Sequence, residues 1–345
     1  MGLSKRIELR FSNGEITKIG CNEDETILAA ARRQGIELAA SCEAGDCQTC
    51  LAKLDAGSVD YLDGFTPSLS DSEIDEGAVL CCIASPRKNT AVTFTYARTD
   101  LLPVRKYQMV VKAVERLSGT VVRLQGELEG PAGITFFAGQ YVNIGVPGRD
   151  TTRSYSMANA PAETRTLEFF IRLLPTGEMS EALTSRVKVG DKMEVQGPYG
   201  VFYLRDIAGP IVMIAGGTGL APMVSMLKDL LKRGHAATPV VLCFGVTRPE
   251  DFFYAAEIAE LGRRFERFEA RYTMVEPDAA WTGAAGFVTG LLKEDEAAAV
   301  GADGGMAYLC GPPAMVEATR VWFKSRGIDA TRVLAEEFLP SLPKK

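Results

Sequence analysis

Cys42, Cys47 and Cys50 stand in the pattern C-x4-C-x2-C, and the pair Cys81-Cys82 follows further along the chain. Three thiolates leaving one loop, joined by a fourth from elsewhere, form the donor set that holds two irons and two sulfides. Such a loop has to bend so that the sulfurs converge while backbone N–H groups point at them, and Gly45 supplies the freedom for that bend. The fourth ligand is Cys81 or Cys82. A zinc site, as in a non-enzymatic adaptor, is the competing reading of the same thiols. Cys21 and Cys243 read as buried thiols.

Two further constellations suit organic cofactors. Arg153-Ser154-Tyr155-Ser156 offers a guanidinium for a pyrophosphate, an aromatic face for an isoalloxazine and a hydroxyl for a flavin edge. Gly177-Glu178-Met179-Ser180 precedes a helix expected over 180–185, whose N-terminal N–H groups suit the same pyrophosphate. Gly216-Gly217-Thr218-Gly219, with Pro222 in the first helical turn, follows an apolar strand and lets backbone approach a dinucleotide diphosphate. Cys310-Gly311-Pro312 ends a late strand, where the Cys310 thiol can touch a nicotinamide. Thr247 and Arg248 follow another strand and are expected to face the adenosine ribose. There Glu250 and Asp251 would repel a 2′-phosphate, so NADH is preferred over NADPH.

These side chains require three kinds of scaffold. Residues 7–20 alternate apolar and polar around Asn13-Gly14, a hairpin pattern, and 26–34 reads as a helix ahead of the cysteine loop. The stretch 97–106 has Pro103 and no periodicity, which marks a linker. Strand patterns fill 107–204 and predict an antiparallel β-barrel closed by a turn at Gly197-Pro198-Tyr199-Gly200. From Pro210 apolar strands at 211–215, 240–246, 271–275 and 307–309 alternate with helices at 223–232, 255–264 and 314–326, the pattern of a parallel α/β domain. The fold class expected is therefore multidomain, α+β followed by α/β, with domains at 1–100, 105–206 and 208–345.

Composition narrows the function further. The chain has 345 residues and a net charge of −6, and residues 1–100 hold 10 Lys+Arg against 16 Asp+Glu, leaving 28 against 28 for the rest. An acidic first domain disfavours nucleic acid and suits a basic protein partner. The single histidine, His235, excludes a Rieske cluster and a facial-triad iron within this chain, since each needs two. Charge at Lys5, Arg6 and Glu8 interrupts any leader core, Gly2 lacks a myristoylation context, and glycines break the most apolar stretch. A cytoplasmic protein without a membrane span is expected, monomeric by itself.

Taken with Glu336-Glu337-Phe338, 190–193 and 202–206, these motifs resemble the reductase components of benzoate 1,2-dioxygenase and related aromatic-acid dioxygenases, over nearly the whole chain. The resemblance implies a plant-type ferredoxin domain of β-grasp fold, an FAD-binding barrel and an NADH domain, in that order. It selects Cys82 as the fourth ligand, four residues before Pro86. It also implies that Thr218 and Phe338 lie near the isoalloxazine with Glu336 close by, that Phe170, Ile171 and Arg172 line the FAD, and that Ser156 and Cys310 act beside them. Asp46 and Gln48 stand where Ala and Gly are common in that family. The implied route runs from NADH through FAD to the [2Fe–2S] cluster and on to a separate terminal oxygenase, of Rieske type. A di-iron monooxygenase or a sugar-deoxygenating enzyme is the alternative partner.

Overall fold

A computed structural model describes residues 5–338; Gly2 and the start of the leader reading lie outside the described residues, as does the end of the third expected domain. The chain forms two compact units. One runs to Pro103 and includes Tyr199–Val201; the other comprises Val104–Pro198 and the chain from Phe202 onward.

In the first unit, β1 (Lys5–Arg10) and β2 (Ile16–Cys21) form the expected hairpin, with Gly14 at φ +85° in its turn. Helix α1 (Ile27–Arg33) follows, capped by Thr26, whose Oγ1 accepts from Ala29 N at 3.1 Å. Strands β3 (Leu51–Ala56), β5 (Ala78–Leu80) and β7 (Thr90–Thr93) complete a sheet of order β2-β1-β7-β3-β5. Strands β4 (Val59–Tyr61) and β6 (Ala84–Pro86) pair as a separate ribbon, and α2 (Asp71–Asp75) starts on a Ser70–Glu73 capping box. Strands β1 and β7 run parallel, while β3 is antiparallel to both its neighbours. Ile7, Leu9, Ile27, Leu80, Ile83 and Phe94 form the core beneath α1.

The second unit contains two six-stranded sheets. Strands β8 (Arg105–Arg116), β9 (Val121–Leu128), β10 (Tyr141–Gly145), β11 (Thr152–Ser156), β12 (Thr166–Arg172) and β13 (Lys192–Tyr199) take the order β11-β10-β13-β8-β9-β12. A bridge from Met157 to Phe169 joins the two ends and closes the barrel. Gly197-Pro198-Tyr199 belongs to β13 rather than to a turn. A Cβ at Gly197 would meet Val142 Cγ1 at 2.7 Å, so the glycine serves close strand packing. Helix α3 (Glu178–Ser185) begins two residues earlier than expected, with Glu178 in the first turn where the helix dipole favours a carboxylate.

The other sheet holds β14 (Ile211–Gly216), β15 (Val240–Val246), β16 (Phe268–Met274), β17 (Ala284–Ala285), β18 (Met306–Gly311) and β19 (Val333–Glu337), in the order β17-β16-β15-β14-β18-β19. Every pair in it is parallel. Helices α4 (Leu220–Lys232), α5 (Ala255–Gly262), α6 (Glu294–Gly301) and α7 (Pro313–Lys324) accompany the strands. Strand order reverses between β14 and β18, the switch point where open α/β sheets bind ligands.

Barrel and α/β sheet fall in one compact unit because they share a core. Ala158, Phe170, Phe202 and Leu204 of the barrel segment pack in one cluster with Met213, Val224, Met226 and Phe244. Among the described residues no helix is long and apolar enough to cross a membrane.

Candidate functional site

The cysteine loop is shaped by left-handed residues. Glu43, Gly45 and Gln48 have φ of +54°, +80° and +56°. A Cβ on Gly45 would meet Ile83 Cδ1 at 2.6 Å, so packing as well as conformation demands glycine. The two non-glycine residues are held by partners: Glu43 makes a bidentate pair with Arg32 at 2.6 and 2.9 Å, and Gln48 Nε2 donates to Ser68 O at 2.6 Å. Polar anchoring thus makes Gln48 tolerable at a position where Gly would be strain-free.

The thiols form two pairs. Cys47 N and Ala44 N donate to Cys42 Sγ at 3.3 and 3.4 Å, and Cys42 N donates to Cys47 Sγ at 3.4 Å. A hydrogen bond from the Cys42 thiol holds Cys47 below the ordinary thiol range, and Thr49 contributes in the same direction. Likewise the Cys50 thiol lowers Cys82, and Gly45 N–H points at the Cys82 sulfur. Among the described residues no three such side chains converge on one point. A two-iron cluster takes two ligands per iron, so two pairs fringed by N–H donors fit it, whereas a tetrahedral zinc site asks for one quartet. Cys81 is fully buried in the apolar core, and burial pushes its thiol up.

In the barrel, β11 carries Arg153, Ser154, Tyr155 and Ser156. Arg153 Nη2 lies 2.9 Å from Glu178 Oε2, and Thr151 Oγ1 donates to the same carboxylate at 3.1 Å. Arg153 and the first turn of α3 therefore converge on one anionic position, at present taken by Glu178. Met179 is buried in the barrel core, and Ser180 Oγ accepts from Leu174 N at 2.8 Å, so from 177–180 what remains to meet a pyrophosphate is backbone N–H. Ser154 Oγ donates to Asn143 Oδ1 at 2.8 Å, and burial pushes the Tyr155 phenol up.

Expectations for β12 need revision at the side chains. Ile171 points into the barrel core, but Phe170 packs on Phe253 and Tyr254, with centroids 5.4 and 4.7 Å away. Arg172, on the same face as Phe170, lies 3.6 Å from Asp251. The Phe170 side chain is thus packed against the α/β half, while the Arg172 side chain stays half exposed beside Asp251. Thr120, Arg172, Thr247, Arg248, Glu250 and Asp251 line a cavity of about 270 Å³. Within it Arg248 Nε is engaged with Glu276 at 2.8 Å, and Asp251 receives Thr120 Oγ1, so the cation expected to meet the ribose already has an acidic partner.

At the switch point the two nicotinamide motifs meet. A Cβ on Gly219 would lie 2.1 Å from Cys310 O, one on Gly311 3.1 Å from Gly216 Cα, and one on Gly216 2.9 Å from Pro312 Cδ. Gly217–Gly219, including Thr218, make a tight turn feeding α4 at Leu220, with Pro222 third in the helix. Phe338 N donates to Gly311 O at 2.9 Å, which brings Phe338 to the end of β18. Glu336 is paired with Cys310 across β18–β19 and receives Ser156 Oγ at 3.1 Å. Ser156, Glu336 and Cys310 thereby form one constellation from three distant segments. Burial of its carboxyl pushes Glu336 up to about 8, against the lowering effect of the Ser156 hydroxyl. Burial also raises the Cys310 thiol, and the neighbouring Glu336 adds to that. The residues present suit a flavin edge and a nicotinamide: a hydroxyl, a neutral acid, an uncharged thiol and a glycine turn with no room for side chains.

Comparison with known proteins agrees with this layout. The models for the 2Fe-2S iron-sulfur cluster binding domain, the oxidoreductase FAD-binding domain and the oxidoreductase NAD-binding domain match residues 10–87, 108–203 and 213–321. The toluate 1,2-dioxygenase electron transfer component of Pseudomonas putida is 33% identical over 98% of this chain and 100% of its own. The reductase component DmpP of phenol 2-monooxygenase from Pseudomonas sp. strain CF600 is 37% identical, covering 88% and 86%. The crystal structure of the Amycolatopsis cytochrome P450 reductase GcoB superposes with a TM-score of 0.71 at 32% identity, covering 97% and 99%. Fold and site define an NADH-dependent iron–sulfur flavoprotein oxidoreductase that carries FAD, NAD and a [2Fe–2S] cluster. The chain belongs to the family of ferredoxin–FAD–NAD reductases in which those electron-transfer components fall.

Proposed function

We propose that this chain is the electron-transfer component of a multicomponent aromatic-ring dioxygenase, delivering electrons to a separate terminal oxygenase of Rieske type that acts on an aromatic acid of the benzoate class. The observation that carries this reading is the presence in one chain of paired thiols in a left-handed loop and the Ser156–Glu336–Cys310 constellation at the switch point. When bound, FAD converts the electron pair of NADH into single electrons that the [2Fe–2S] cluster can accept. The protein's part is positioning and electrostatics. Cys42, Cys47, Cys50 and Cys82 would hold the cluster, with N–H groups of Ala44, Gly45 and Cys47 stabilising sulfur charge. Arg153 and the α3 N-terminus would bind the FAD pyrophosphate, and Tyr155 and Ser156 would serve its isoalloxazine. The 216–219 turn and α4 would take the NADH diphosphate, Thr218 and Phe338 would lie near the isoalloxazine, and Thr247 and Arg248 would face the ribose.

On this reading the domains are 1–100, 105–206 and 208–345, and the protein works in the cytoplasm as a monomer. The full-length match to an aromatic-acid dioxygenase component supports the partner assignment. The phenol 2-monooxygenase reductase favours a second reading, a monooxygenase partner. Reconstitution decides between them. Purified protein and NADH, combined with a Rieske-type terminal oxygenase, should turn over a benzoate-class acid to a ring diol. Turnover only with a monooxygenase on a phenol would overturn the dioxygenase assignment, and protein with zinc and no flavin would overturn the reductase reading altogether.

A further inference from the structure

Helix α4 bears the dinucleotide turn at its start and grips the barrel with two polar side chains one turn apart. Ser225 Oγ donates to Asn159 O at 2.7 Å. Lys228 Nζ donates to Ala158 O at 2.9 Å and to Glu168 Oε2 at 2.6 Å. Ser225 is 0% exposed and the Glu168 side chain 7%, while Lys228 keeps 22% of its side chain exposed; Glu168 Oε1 also lies 3.7 Å from Arg123 Nη1. The receiving backbone is itself fixed, since Ala158 N donates to Glu168 O at 2.8 Å and Glu168 N to Asn159 Oδ1 at 3.1 Å. Asn159 Nδ2 anchors the far side on Thr166 O at 2.7 Å. Ala158 is two residues beyond Ser156, the last residue of β11, and Met157 between them bridges Phe169.

A buried ion pair is a poor stabiliser, because desolvating both charges offsets their attraction and an apolar pair would serve equally well. What this one adds is a fixed distance and direction. We propose that Lys228 and Ser225 are positioning residues for hydride transfer, locking the nicotinamide-binding turn at the head of α4 in register with Ser156. Ser225 sits about 8 Å along the helix from its start, at 1.5 Å per residue, so a tilt of α4 about this grip moves the 217–219 turn directly. Transfer between two rings is sensitive to sub-ångström misplacement, and about 1 Å can cost about a hundredfold. Neither side chain touches the anion positions described above, so their effect on the cofactor runs only through the placement of the turn.

This inference rests on the reduction of bound FAD by NADH, and wild-type protein tests that premise separately: if anaerobic NADH leaves wild-type flavin unreduced, the premise fails before any variant is compared. In holoenzyme, Lys228→Met should retain stoichiometric FAD and cluster, and it is compared with wild type at saturating NADH. Its flavin-reduction rate should fall about tenfold, and the isotope effect with NADH deuterated at the transferred position should rise as transfer becomes more limiting. Hydrogen exchange of amides in 217–227 should quicken, and Lys228→Arg should restore much of both. A lowered melting temperature with wild-type reduction rate and isotope effect would overturn the proposal, as would a weakened NADH affinity at unchanged rate. If Lys228→Met loses FAD or fails to fold, Ser225→Ala, which removes one hydrogen bond, decides by the same rate, isotope and exchange criteria.

Discussion

Glu336 gives the sharpest prediction, because its protonation changes the charge of the reacting site. Its carboxyl is pushed up to about 8 by burial, so at pH 7 about nine-tenths of it is neutral. Raising the pH through 8 places an anion beside Cys310 and draws the Ser156 hydroxyl, 3.1 Å away, onto itself. A unit charge about 5 Å from a reacting centre is worth about 3 kcal/mol at an effective dielectric constant of 20. The flavin-reduction rate, followed by anaerobic stopped-flow bleaching, should therefore be flat to about pH 7 and change at least fivefold across a step near pH 8. Glu336→Gln, which copies the neutral acid, should keep the low-pH rate and lose the step. Ser156→Ala removes a bond that favours the carboxylate, so the step should move up by about one pH unit, from about 1.5 kcal/mol at 1.36 kcal/mol per unit. Stability has a fixed sign as well. The folded pKa lies above the unfolded one of about 4.3, so this group's unfavourable contribution is absent below that value, grows as pH rises and is complete above about 8. Glu336→Gln should accordingly raise the melting temperature at pH 9 relative to wild type and not at pH 4. A step that persists in Glu336→Gln, or a flat wild-type profile from pH 6 to about 9.5, would refute the reasoning.

Other expectations concern the separate sites. Cys82→Ser and Cys47→Ser should abolish cluster iron while flavin still bleaches with NADH and cytochrome c reduction is lost; Cys81→Ser should retain iron, and iron analysis with visible spectra distinguishes them. Arg153→Ala should weaken FAD binding by at least tenfold on loss of a charge-assisted contact, whereas Glu178→Gln, which removes the carboxylate occupying the same place, should strengthen it up to about fivefold, a partly exposed pair being worth less than about 1 kcal/mol. Fluorescence titration of flavin-stripped protein measures both. Gly219→Ala puts a methyl 2.1 Å from Cys310 O, so both loops must part; a loss of about 3 kcal/mol in a denaturant titration and of retention on immobilised NAD is expected.

The chain by itself determined what local chemistry can encode. The spacing of Cys42, Cys47 and Cys50, the Arg153–Ser156 run, the glycines at 216–219 and the change from two-residue to helical periodicity after Pro210 are all short-range. They were sufficient for the sheet types and cofactor classes. Short or amphiphilic elements escaped: α2 and α6 are brief and rich in acid, β17 has two residues, and β19 is legible only once it is paired. Glu336 was placed near the flavin by resemblance alone, and no spacing or periodicity pointed to its partner. Its raised pKa and its meeting with Ser156, 180 positions away, exist because β19 adds to β18 and the barrel closes against them. The reversal of strand order between β14 and β18 likewise brings two unrelated glycine motifs into van der Waals contact, something no sequence window contains. The side chains of Phe170 and Arg172 illustrate the limit from the other direction, since alternation along β12 fixes that they share a face but only packing decides which half of the protein that face meets. The residues thus determined which chemistries the chain can perform, and the tertiary structure decided which of them share a site, because burial and distance arise only when remote segments pack.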